Sequence, residues 1–184
     1  MPAFDKQLAI RGFGALTLAP ESRRILDYWL SLWEGCALPQ RARFEPVRIR
    51  DLLPGVMIME VKPGERVMAR LSGSAVNAAV GMDLTGKDLL ALTRDSDRRE
   101  RLERNSQTGL GNAGWCIRRG ARPDGSEWSA EEIHLPFRDM TEDGARLVLY
   151  HATFKLPPGA PPLLDLAGGL GLSETFGFIS LIAG

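Results

Sequence analysis

The chain predicts an α+β domain built on an antiparallel sheet, and three observations carry that reading. An amphipathic helix leads. Two strands joined by a tight turn follow, and run into short small-residue helices. Three further strands are then linked by hairpin turn signals. The 184 residues suit one domain with flanking segments. An apolar share of 44% and a charged share of 25% are those of an ordinary globular chain that builds its core without metal or disulfide staples.

Taken in order, residues 1–20 form an apolar, glycine-containing arm with Phe4, Ile10, Phe13, Leu16 and Leu18, suited to lie on the domain or on a second subunit. Pro20 and Glu21 open a helix over 21–34, because proline fits the first turn and a carboxylate complements the positive end of the helix dipole. Ile25, Leu26, Trp29, Leu30 and Trp33 recur at helical spacing on it, and Gly35 stops it. So large an apolar stripe must cover a sheet or meet its twin in a dimer. A proline-punctuated connector carries Arg41, Arg43, Arg48 and Arg50.

Val56 to Val61 reads as a strand, Lys62-Pro63-Gly64 as a turn, and Val67, Ala69 and Leu71 as the inward parity of a second strand. Ser74 is placed to cap a short helix containing Val76 and Val80, and Gly81 to end it in the left-handed conformation. Leu84 and Leu89 follow. Asp95 to Gln107 is a charged helix with Asp95 or Ser96 as cap; its interleaved signs suggest a solvated face. Trp115 to Ile117, Trp128 to Phe137 and Ala145 to Phe154 are strands. Arg122-Pro123-Asp124-Gly125 and Thr141-Glu142-Asp143-Gly144 are the turns between them. Residues 157–184 make a stiff Pro/Gly linker and an apolar tail ending in Phe176, Phe178 and Ile182.

Function classes narrow by elimination. Zero formal net charge argues against nucleic acid as the main partner. Two distant cysteines, Cys36 and Cys116, make neither a zinc site nor a disulfide framework, and with no signal peptide and no membrane span the expected location is the cytoplasm. Gly109-Leu110-Gly111-Asn112-Ala113-Gly114 spells a dinucleotide fingerprint, yet a helix precedes it and a strand follows, the reverse of what pyrophosphate binding needs. His134 and His151, on neighbouring strands near Glu132 and Asp139, are the sole basis for acid–base catalysis and have no nucleophile context, so the chain reads as a non-enzyme. Glu127, Glu131 and Glu132 lack the histidines of a metal cluster. Two arginine groups suit phosphate contacts, the connector and Arg98 to Arg104; acidic neighbours interleave the second, so the connector is the better anion candidate.

The order and spacing of several pieces resemble the PAS superfamily, and within it the PAS-like family of short proteobacterial proteins that begin with a Trp-bearing helix. The pieces are Leu26-Asp27-Tyr28-Trp29, Leu38-Pro39-Gln40-Arg41, Phe44-Glu45-Pro46, Leu52-Leu53-Pro54, Arg70-Leu71-Ser72-Gly73-Ser74, Gly81-Met82-Asp83-Leu84-Thr85-Gly86 and Leu135-Pro136-Phe137. The resemblance spans about Glu21 to Phe154, within a domain over 21–156. Arg43 stands where the family usually has an aspartate, and Ser74 where it usually has threonine.

The resemblance implies a five-stranded antiparallel sheet with short helices on one face, enclosing a small-molecule pocket. Val67, Ala69, Leu71, Val76, Val80, Leu84, Leu89, Trp115, Ile117, Ile133, Leu135, Phe137 and Tyr150 are its expected lining, the alternative being a collapsed core. The cofactor is unknown. Flavin and haem are disfavoured, because Cys116, His134 and His151 fall on strands rather than on the facing helices. The implied role is a sensory or regulatory module that binds a small, mostly apolar ligand and signals through a homodimer or a separate protein. Ile25, Trp29, Trp33, Phe176 and Phe178 are the interface candidates; a ligand-free dimerisation or adaptor module is the alternative.

Overall fold

The computed structural model describes residues 3–121, 125–160, 162–163 and 173–183. Its elements in chain order are α1 (Lys6–Gly14), α2 (Pro20–Ser31), three short 3-10 turns through the connector, β1 (Val56–Lys62), β2 (Arg66–Ser72), α3 (Ser74–Val80), α4 (Asp95–Gly109), β3 (Ala113–Ala121), β4 (Glu127–Met140), β5 (Arg146–Lys155) and β6 (Ser173–Ile179). The strands form one sheet in the order β2-β1-β5-β4-β3-β6, and every neighbouring pair is antiparallel. The α+β class holds. The sheet has six strands rather than five, because the apolar tail adds β6 to the edge of β3.

The two faces of the sheet carry separate cores, following the alternation of side chains along each strand. Ile133, Leu135 and Phe137 of β4 and Leu149 of β5 pack beneath α1 and α2, with Phe13, Ile25, Leu26, Trp29 and Trp33. Met57, Met59, Val61, Val67, Ala69, Val148, Tyr150 and Ala152 face the other way, towards Val76 of α3 and the Leu84, Leu89 and Leu90 turn. Trp29 and Trp33 meet edge to face at 5.4 Å, and the Trp29 indole N–H donates to Pro136 O at 3.2 Å. Ile25 and Trp29 are fully buried and Trp33 nearly so. The stripe therefore covers the chain's own sheet, and these three residues are buried within the chain instead of standing at its surface as interface candidates.

Several local expectations change for physical reasons. The arm is helical: Asp5 accepts from Gln7 N at 2.8 Å and caps α1, which buries Ala9 and Phe13. Arm and tail then meet. Phe4 bridges Ile182, Asp5 N donates to Leu181 O, and Gly12 leaves room for Ile179, whose side chain would lie 2.6 Å from any Cβ there. Neither Ser74 nor Asp95 nor Ser96 caps. Gly73 and Arg94 occupy those positions, and Asp95 and Asp97 act in the first turn of α4 instead. Gly81 does end α3 in the left-handed region, φ 87°. Thr141 and Gly144 close the β4–β5 hairpin as expected. Most of the Arg122–Gly125 turn, Pro161 and residues 164–172 lie outside the described residues. Among the described residues no helix is long and apolar enough to cross a membrane.

Candidate functional site

The α4 sequence, DSDRRERLERNSQTG, has almost no apolar face, so packing should leave it in solvent. Instead it docks on the sheet. Arg101, Arg104, Asn105 and Thr108 share one face at the i, i+3, i+4, i+7 spacing, and Asn105 and Thr108 are buried. A polar helix face can be buried only where the opposing surface satisfies it. The last turn of α4 packs on β1, with Gly109 against Val61, and its polar face meets the parity of β3, β4 and β6 opposite the Trp-helix core: Cys116, Arg118, Glu132, His134 and Glu174.

These residues form one charged network. Arg118 Nη1 lies 2.6 Å from Glu132 Oε1, and its Nε lies 3.3 Å from Glu174 Oε2. Arg104 pairs with the other oxygen of Glu174, to which the Cys116 thiol also donates at 3.3 Å. The Arg104 guanidinium stacks over Phe176 at 5.2 Å. His134 Nε2 stands 3.6 Å from Glu132 Oε2, beyond hydrogen-bond reach, and its ring abuts Tyr150 edge to face at 5.1 Å. Arg101 donates to the Thr93 hydroxyl at 2.9 Å and forms no ion pair among the described residues. Three guanidiniums thus face two carboxylates.

The electrostatics follow from burial and this imbalance. Burial acts to raise the Glu132 carboxyl, but Arg118, with His134 and Arg101, outweighs it and holds the group at about 2. Arg118 is correspondingly raised by Glu132. Burial, then repulsion from Arg118, lowers Arg101 and Arg104. Burial lowers His134 and pushes the Cys116 thiol up to about 11.

Two clefts open elsewhere. One of about 510 Å³ lies between α3 and the end of β5, lined in part by Gly55, Ala75, Ala79, His151, Thr153 and Pro157. His151 Nδ1 and Thr153 Oγ1 are buried there without a hydrogen-bond partner among the described residues. A smaller one of about 150 Å³ lies under Leu16 to Leu18, beside Trp115, Ile117 and Glu131.

The sheet divides the thirteen residues expected to line one pocket. Val67, Ala69, Val76, Val80, Leu84, Leu89 and Tyr150 do converge between sheet and α3, where they pack against Met57 and Met59. Ile133, Leu135 and Phe137 lie on the opposite face with Trp115, and Ile117 borders the smaller cleft. Leu71 is 58% exposed on the edge strand. The two histidines do not converge either: Ile133 pairs with His151 and His134 with Tyr150, so they point to opposite faces. The connector arginines are engaged singly. Arg43 pairs with Glu34, while Arg41 and Arg48 stack on Phe44 and Tyr28. Phe176 and Phe178 stay exposed at 41% and 36%, their rings 6.1 Å apart. The glycine motif is a helix-to-strand turn with Gly111 at φ 101°.

Arg118 and Glu174 are not singled out from sequence, and the Arg98–Arg104 run reads there only as a weaker phosphate candidate than the connector. The usable signal was the polar even parity of Glu132 and His134 set beside a polar i, i+3, i+4, i+7 stripe on the preceding helix. Each looks solvated alone; together they match.

A family model for the PAS domain matches residues 18–149. No curated protein matches the chain.

Proposed function

The chain belongs to the PAS domain family, and from that premise we propose that it is a sensory or regulatory module whose sensing element is the charged interior between α4 and the sheet. One observation carries the reading. α4 presents Arg101 and Arg104 inward beside Arg118 of β3, and among the described residues two carboxylates, Glu132 and Glu174, meet these three guanidiniums. Such an interior favours a polar ligand over the mostly apolar one that the family resemblance suggested. On the same side of the sheet Val67, Ala69, Val76, Leu84 and Leu89 pack against one another. Output would pass through β6 and the arm–tail junction, which touch both the network and the α1 side of the sheet.

The test is native mass spectrometry and thermal shift against a metabolite panel, with wild type and Arg101→Gln side by side. At least one small polar compound should raise the melting temperature of wild type and not of the variant. A panel with no ligand for wild type would end the sensing reading.

Phe176 and Phe178 support a second reading, a ligand-free dimerisation or adaptor module, since they are exposed on an edge strand whose outer side has no partner strand among the described residues. Sedimentation of wild type against Phe176→Ser/Phe178→Ser decides it. A monomer at high concentration in both, with no partner retrieved, would remove it.

A further inference from the structure

We propose that the Arg101, Arg104 and Arg118 cluster is a binding site for a small organic carboxylate, that Glu174 of the tail strand occupies it as an internal stand-in, and that a free carboxylate exchanges with Glu174 and peels the first half of β6 from the sheet. This deepens the sensing reading and rests on it.

The geometry singles out Glu174. Its two oxygens bridge guanidiniums from different elements, Arg104 of α4 and Arg118 of β3, and one of them also accepts from Cys116. That is how a guanidinium pair would hold a free carboxylate. Glu132, the other carboxylate, is fixed: its side chain is 5% exposed in the middle of the sheet. Glu174 is 24% exposed on the edge strand, open to competition from solvent. Arg101 supplies a third guanidinium with no carboxylate of its own among the described residues, so an incoming ligand would meet more positive charge than Glu174 alone neutralises.

The attachment of β6 is uneven. Its far end is anchored by Ile179 against Gly12, by the buried Leu181 and by the Phe4–Ile182 bridge. At the near end the residues on the α4 face are Glu174 and the exposed Phe176, so little apolar burial on that face holds it. Besides the backbone ladder to β3, the ion pairs of Glu174 and the stacking of Arg104 on Phe176 fasten it. Loss of the Glu174 contacts frees residues 173–177 and leaves the anchor in place.

The experiment uses the full chain with acetate, glutarate and inorganic phosphate as probes at constant ionic strength. The variants are Glu174→Gln, Glu174→Asp and Arg104→Gln/Glu174→Gln. Affinity is read by calorimetry, and release of β6 by amide hydrogen exchange. A tethered competitor acts at an effective concentration in the millimolar range, so removing it should tighten binding about tenfold or more. Glu174→Gln should therefore bind acetate or glutarate at least about tenfold tighter than wild type, Glu174→Asp should fall between, and the double variant should lose the gain. Saturating glutarate should speed exchange at residues 174–177 of wild type and leave 181–183 unchanged. If Glu174→Gln binds no tighter than wild type, or does not fold while Glu174→Asp matches wild type, the stand-in is wrong. Tighter binding without faster exchange would keep the site and overturn the release. Preference for phosphate would overturn the ligand class, and a panel hit that ignores Glu174 and Arg104 would leave the sensing reading standing without this site.

Discussion

Replacing Glu132 by Gln tests whether the charged network is integral to the fold. The perturbation is nearly isosteric and removes one charge, leaving Arg118 with Glu174 alone. The size of the effect follows from the carboxyl's displacement from its ordinary 4.5 to about 2. At about 1.4 kcal/mol per pH unit, a displacement of about 2.5 units is worth about 3 kcal/mol at pH 7. Breaking a buried ion pair by removing one partner costs about 3–5 kcal/mol, so the two routes agree. For a chain of this length that is a fall of about 6–12 °C in melting temperature. The sign in pH is fixed by the direction of displacement. A carboxyl lowered in the folded state stabilises fully above its unfolded value near 4.5, and the contribution fades as pH falls from there towards 2. Urea unfolding of both proteins from pH 7 to pH 2.5 should show a gap of about 3 kcal/mol that closes on acidification. A gap under 1 kcal/mol at pH 7, or one that persists undiminished at the acid end, would refute the reasoning.

Other tests address each side of the sheet. Trp29→Ala removes a fully buried indole, its bond to Pro136 O and its contact with Trp33, and should cost about 3–5 kcal/mol in urea unfolding; a loss below 1 kcal/mol would contradict the placement of α2. Burial holds His151 at about 4, so the folded chain binds fewer protons than the unfolded one between pH 6.5 and 4, and stability falls as pH drops through that window. His151→Leu should flatten that part of the profile by up to about 3 kcal/mol across the window, and an unchanged slope would place the proton uptake elsewhere. Cys36 is exposed, whereas the buried Cys116 thiol stands at about 11. A disulfide reagent at pH 8 should therefore titrate one thiol at once and the second only on unfolding; two fast thiols would show that α4 and β6 leave Cys116 open.

The parts of the fold legible in the sequence are those where a periodicity meets a stop signal. Pro20 with the Ile25 and Trp29 stripe placed the start of α2, although the helix ends at Ser31 and not at the Gly35 stop; the Thr141–Gly144 signal placed the β4–β5 hairpin, and Gly81 the end of α3. The arm and tail were harder to read, because each is stabilised by the other. Phe4 and Ile182 pair across nearly the whole chain, which no local window contains. The charged site was illegible for a related reason. A rule that treats polar residues as solvated assigns both α4 and the Glu132 parity outward, and only their complementarity across more than twenty-five residues buries them.

That complementarity is an expensive way to close a sheet. Leucines at 101, 104 and 105 over apolar residues at 116, 118 and 132 would hold α4 as well or better, because desolvating paired charges gives back much of what their attraction gains. Stability alone therefore does not explain the network. What an ionic interior offers, and an apolar one does not, is a binding energy that depends on which anion is present. Glu132 is fixed within the sheet, while Glu174 arrives on a strand anchored at one end. The two carboxylates meet the arginines on unequal terms, and under the proposed exchange that inequality is what a sensor needs: one contact rigid enough to keep the fold, the other weak enough to be displaced.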